Sequence, residues 1–198
     1  MREMAISWFF RGMSGLGLLA ALAGCCANSV CDCQDERVDA LTVQFRVADT
    51  LAGGTGFRRA DVDTVYVLRY APGDTGRARH DSVALLRLPS QAAAPFLINN
   101  GAPFGRVSGR KLNGFDYEVF VKLARSGPGP RPAQRYRLSN IELRDELAGN
   151  GCCSCFRNLR KTVVVTNKNL PSGTIRSTTY DLTEQDDRQP RPLVLTRH

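Results

Sequence analysis

Sulfur is the first place to look for chemistry in this chain. It carries seven cysteines, and the six beyond position 25 fall into two clusters: Cys26, Cys31 and Cys33 early, Cys152, Cys153 and Cys155 much later. An even number suits disulfides in an oxidising compartment. Pairing across the clusters is the expected arrangement, because a bridge within Cys31-x-Cys33 or between adjacent Cys152 and Cys153 demands strained geometry. Closing so long a loop contributes about 4 kcal/mol in the chain-entropy model. The sharper alternative is a metal site, in which Cys31, Cys33, Cys153 and Cys155 offer four thiolates to zinc or Cu(I). Both pairs are C-x-C, however, where zinc sites usually have C-x₂₋₄-C. Free or partly paired thiols are a third option, and no C-x-x-C redox motif occurs.

Arginine is the second resource. Arg125, Arg131, Arg135 and Arg137 surround a Pro/Gly tip at residues 126–133. Guanidinium groups acting in pairs bind phosphate and carboxylate well, so these four are candidate anion ligands; the plainer reading is a solvated hairpin end. The whole chain has 27 Lys+Arg against 19 Asp+Glu, a net charge of +8. Such a balance suits an anionic partner or simple solubility.

Catalytic candidates are scarce. The two histidines are His80, beside Arg79 and Asp81, and the terminal His198; His80 reads as a solvated loop residue. There is no G-x-S-x-G elbow. Gly105–Lys111 has the composition of a phosphate loop but the wrong glycine spacing. Asp61 and Asp63, and Glu184, Asp186 and Asp187, read as exposed acidic turns and do not match an EF-hand. A carboxylate pair for glycoside hydrolysis could be far apart in sequence and stays open. The expected function is therefore binding or scaffolding without catalysis or cofactor, and the alternative is metal or thiol handling by the cysteine clusters.

These side chains must be positioned by strands. Leu41, Val43, Phe45 and Val47 alternate with Thr42, Gln44 and Arg46, the period of a half-buried strand. Residues 62–70 are apolar on both faces and read as a strand inside its sheet. Further strands are expected at 82–88, 96–98, 115–123, 136–143, 161–166, 178–183 and 193–196. Turns are expected at Ala71-Pro72-Gly73-Asp74 and Asn99-Asn100-Gly101. No persuasive amphipathic helix follows residue 25, although residues 144–147 could make one turn. The fold expected is all-β: an antiparallel β-sandwich, immunoglobulin-like, of eight or nine short strands over residues 39–198. The Cys…Trp…Cys spacing of true immunoglobulin domains is missing.

The N-terminus carries an address. Residues 12–24 are uncharged and mostly apolar or small, and Arg2 and Arg11 precede them; basic region, apolar core, then small residues is the order of an export signal. As a helix the run spans about 20 Å against roughly 30 Å of bilayer hydrocarbon. Leu22-Ala23-Gly24-Cys25 resembles the lipobox of bacterial lipoprotein precursors. That resemblance covers the first 25 residues. It implies cleavage before Cys25, fatty acylation of Cys25, and anchoring through membrane lipid. An ordinary signal peptide or an uncleaved anchor helix are the alternatives. The resulting plan is a signal peptide at 1–24, a lipidated cysteine-rich tether at 25–38 and an exported domain at 39–198. Removal of Arg2, Arg11 and Glu3 takes the net charge from +8 to +7. For a domain held at the cell envelope, on the outer membrane rather than the inner, an anionic glycan or envelope protein is the expected partner, and not nucleic acid.

Overall fold

The computed structural model describes residues 35–48, 56–74, 79–105, 109–124, 132–150, 153–168, 176–183 and 191–197. One helical turn, α1 (Asp35–Val38), leads into β1 (Leu41–Phe45). There follow β2 (Thr64–Tyr70), β3 (His80–Leu86), β4 (Phe96–Ile98), β5 (Asp116–Lys122), β6 (Ala133–Asn150), β7 (Cys153–Asn167), β8 (Arg176–Asp181) and β9 (Leu193–Leu195). The strands form two sheets, of order β4-β1-β9 and β3-β2-β5-β6-β7-β8. Among the described strands the pairings are antiparallel except that of β1 with β9. The all-β sandwich read from the sequence is thus the fold. Its strands are shared six and three, with β5 to β8 a continuous meander, whereas immunoglobulin constant domains divide seven strands four and three.

The alternation that identified the strands also builds the core. Leu41, Val43 and Phe45 of β1 and Leu193 and Leu195 of β9 are buried against Val65, Val67, Tyr117, Val119, Val121, Leu138 and Val163 of the large sheet. Burying a side chain of this size contributes roughly 1.5–3 kcal/mol. Phe45 anchors the middle, edge-on to Phe57 at 5.2 Å and stacked on Phe96 at 6.1 Å. The two expected turns are present. Gly73 takes φ +77° and the Asp74 amide donates to the Ala71 carbonyl, a type II pattern with Pro72 in second place. Asn99 Oδ1 accepts from the amides of Gly101 and Ala102.

Two regions depart from expectation. Residues 35–38, placed in an irregular tether, form α1 and dock on β7. Residues 144–147, considered for a helical turn, belong to β6, which with β7 makes a hairpin far longer than residues 136–143 and 161–166 suggested. Its pairing slips between Ser139 and Glu142, with Asn140 at φ +49°, and again between Arg144 and Asp145. Each slip is a bulge that shifts the face of every later residue.

Gly56 has a packing reason to be glycine: an added Cβ would lie 2.4 Å from Ala48 Cβ and 2.9 Å from its amide nitrogen. Gly56→Ala is expected to cost about 1–3 kcal/mol, the usual range for overpacking, read as a lower denaturant midpoint with an unchanged m-value.

Candidate functional site

Of the residues singled out for chemistry, Cys25, Cys26, Cys31, Cys33, Cys152, Arg125 and Arg131 lie outside the described residues. Cys153 opens β7, and its side chain is not described. Cys155 is disulfide-bonded. Arg135 and Arg137 stand on β6 and not in a loop, and each meets a carboxylate of the neighbouring β5. Arg135 Nη1 donates to Glu118 Oε1 at 2.7 Å, and Arg137 Nη2 to Asp116 Oδ2 at 2.6 Å. Both carboxylates are buried, so much of the charge of these arginines is met within the sheet. Tyr66 and Phe120 stack at 4.7 Å beside them. Lys122 covers the Tyr66 ring and Arg135 the Phe120 ring. This cation–ring ladder spans β2, β5 and β6 and leaves little free ring face for a sugar to stack on.

The other candidates are also accounted for by the fold. His80 is the exposed first residue of β3, opposite Tyr70. Asp61, read as an exposed acidic turn, is only 1% exposed. Its carboxylate accepts from the amides of Arg58 and Ala124 and pairs with Arg197 at 3.5 Å. It is a brace between chain segments, because a buried carboxylate must be satisfied by donors. Among the described residues no cluster of three His, Cys, Asp or Glu could hold a metal. Glu184, Asp186, Asp187 and His198 lie outside them.

A polar network fastens α1 to the sandwich. Asn158 Nδ2 donates to the Val38 carbonyl at 2.6 Å, and the buried Lys161 ammonium to those of Ala40 at 3.1 Å and Arg37 at 3.4 Å. Next to this contact Lys111 bridges Asp145 at 3.2 Å and Asp39 at 3.7 Å. Burial, and then the nearby Asp145 charge, raise the Asp39 carboxyl above its ordinary value of 3.8. A raised folded-state value means that the associated stability is fully present below the unfolded value and lost as pH rises through the folded one. Asp39→Asn removes that loss. The variant's Tm is therefore expected to exceed the parent's most at neutral pH, with the gap closing as pH falls toward 3.8. Melting curves across this window check it; a gap that widens on acidification contradicts it.

The outer face of the large sheet holds a pocket of about 430 Å³ on β6, β7 and β8. Arg144, Arg160 and Arg191 line it, with Leu159, Thr162, Asp181 and Thr183. The register places Arg144 directly opposite Arg160. Asp181 is the one carboxylate in this lining, and Thr183 fixes it: the Thr183 amide and hydroxyl donate to Asp181 Oδ1 at 2.9 and 2.5 Å. These bonds, then the charges of Arg191 and Arg160, hold Asp181 below the ordinary carboxylate range. Arg160 also pairs with Glu142 at 3.3 Å, with both side chains about two-thirds exposed, so that pair is weak. The sequence reading missed this group: its three arginines are scattered along the chain, and no motif joins them.

Comparison with known proteins finds no matching family model, no matching curated protein and no matching solved structure.

Proposed function

We propose that this chain is an exported envelope lipoprotein, acylated at Cys25 after loss of residues 1–24, whose β-sandwich binds an anionic envelope partner without catalysing a reaction. The observation that carries the reading is the oxidised state of Cys155 close to where the N-terminal segment docks. Disulfides persist in exported proteins and are rare in the reducing cytosol. Asn158 and Lys161, three and six residues beyond Cys155 on β7, hold the carbonyls of Val38, Arg37 and Ala40. Extended chain spans roughly 3.3–3.6 Å per residue, so Cys31 and Cys33 are within reach of the Cys153–Cys155 strand. A bridge there would staple the tether to the domain it anchors. A thiolate metal site using Cys155 would need that cysteine reduced, which sets the metal-handling reading behind the disulfide one.

Intact-mass measurement of the membrane-extracted protein, before and after reduction, tests this. The expected mass lacks residues 1–24, carries fatty acyl groups at Cys25 and rises by about two hydrogen masses per disulfide on reduction. Recovery of the chain with Met1 attached and Cys25 unmodified would refute it.

A further inference from the structure

We propose that the open edge of β3 pairs with the same edge of a second copy of this chain, antiparallel and centred on Ala84, so that the two six-stranded sheets become one. The inference goes beyond the binding role above and needs neither acylation nor a particular disulfide.

β3 is the last strand of the large sheet and pairs with β2 on one side. Just past its end, the Arg87 amide donates to the Asp63 carbonyl, on the β2 side. Backbone direction alternates along an antiparallel strand, so the amides and carbonyls of Ser82, Ala84 and Leu86 point away from β2. Among the described residues no strand pairs with that side. Exposed edges are commonly blunted by lysine, proline or a bulge. Between Asp81 and Arg87 the chain reads Ser-Val-Ala-Leu-Leu, and its register with β2 runs from Leu86 to His80 without a slip. Val83 and Leu85 turn inward onto the core. Leu86 is 83% and Leu88 65% exposed, the two most exposed large apolar side chains among the described residues. An uncharged edge that carries exposed leucines is a template for pairing.

Charge selects the partner and the register. Only outward-facing residues of the two edges can share hydrogen bonds, so a twofold pairing is centred on one residue. Centring on Ala84 sets Asp81 of each copy opposite Arg87 of the other, Val83 opposite Leu85, and Ser82 opposite Leu86. Unlike charges so opposed stabilise a ladder, and like charges destabilise it. A centre at Val83 would oppose Arg79 to Arg87, and a centre at Leu85 would oppose Arg87 to Val83. Arg87 is held through Nη2 by the Gln91 and Ala94 carbonyls, and its Nη1 has no hydrogen-bond partner among the described residues. Asp81 meets Arg69 through Oδ2 and stays 59% exposed. Leu86 of each copy then lies diagonally from Ala84 of the other, within contact range. Each β3 edge is used once, so this assembly closes at two copies.

The test is sedimentation velocity of the purified full chain over a concentration series, with hydrogen exchange read by mass spectrometry at both ends of the series. A monomer–dimer equilibrium is expected. Protection of residues 80–88 should rise with concentration, and that of β8, the other edge of the sheet, should not. Ala84→Pro removes an outward amide and leaves the ladder to β2 intact. Leu86→Lys supplies the absent edge charge at a position 83% exposed, so its effect reads the interface and not the packing of the monomer. Each should weaken association about ten-fold or more. Leu147→Lys, at an exposed leucine on the β6–β7 hairpin, should leave it unchanged. A monomer at submillimolar concentration, open-ended assembly, parental association in both β3 variants, or unchanged protection of residues 80–88 would each overturn the proposal.

Discussion

Arg69→Ala is expected to lower the unfolding free energy by about 3 kcal/mol, or roughly 6–12 °C in Tm for a chain of this size. Arg69 sits on the inward face of β2, where the pattern of valines calls for another apolar residue, and is 3% exposed. A cation there requires partners. Its Nε donates to Asp81 Oδ2 at 2.9 Å and its Nη1 to the Asn100 carbonyl at 2.7 Å, and its guanidinium lies 4.3 Å from the Phe104 ring centre and 5.1 Å from that of Phe115. Alanine loses all of these together and leaves a cavity among the rings. Asp81→Asn should cost less, because asparagine keeps an oxygen acceptor for the Arg69 guanidinium, whose carbonyl and ring contacts also remain. Thermal unfolding of the two variants side by side gives the answer. Equal losses would show that the Arg69–Asp81 ion pair, and not the carbonyl and ring contacts, dominates.

Lys161→Met should release α1 from the sandwich and cost about 2–3 kcal/mol. Methionine fills similar volume, so the loss comes from the polar contacts. The Ala40 and Arg37 carbonyls lose the ammonium that satisfies them, and Asp39 loses a neighbouring positive charge that holds its pKa down. Asn158 still donates to Val38, so release should be local and precede global unfolding. Limited proteolysis with an arginine-specific protease reads this directly, since Arg37 lies in the docked turn. Faster cleavage at Arg37 with a nearly unchanged rate elsewhere is expected. Uniform acceleration along the chain would mean that Lys161 supports the whole fold.

The strands that the sequence revealed most clearly are those with one dry and one polar face. β1 and β5 alternate without interruption, and their inward residues are the core. The other face of β5 is polar but not wet: Asp116 and Glu118 are buried because the β6 register brings Arg137 and Arg135 against them. Periodicity reports which side of a strand is polar. It does not report that polar side chains will pair and exclude water.

The long β6–β7 hairpin was legible only in its inner part. Two bulges shift its phase, so alternation fails along residues 139–160 although the backbone remains paired. Asp61 shows the same limit on a smaller scale: an acidic turn looks exposed until a distant amide, that of Ala124, is folded onto it.

From the sequence alone came the all-β class, most strand positions and two of the turns, because these follow from contacts between near neighbours and from the period of two. The export address proposed for residues 1–25 rests on a pattern of the same local kind. The tertiary structure alone decided the arginine pocket, the docking of residues 37–40 on β7 and the buried ion pairs. Each joins residues far apart in the chain, and a register, shifted by one residue at each bulge, sets which side chains meet.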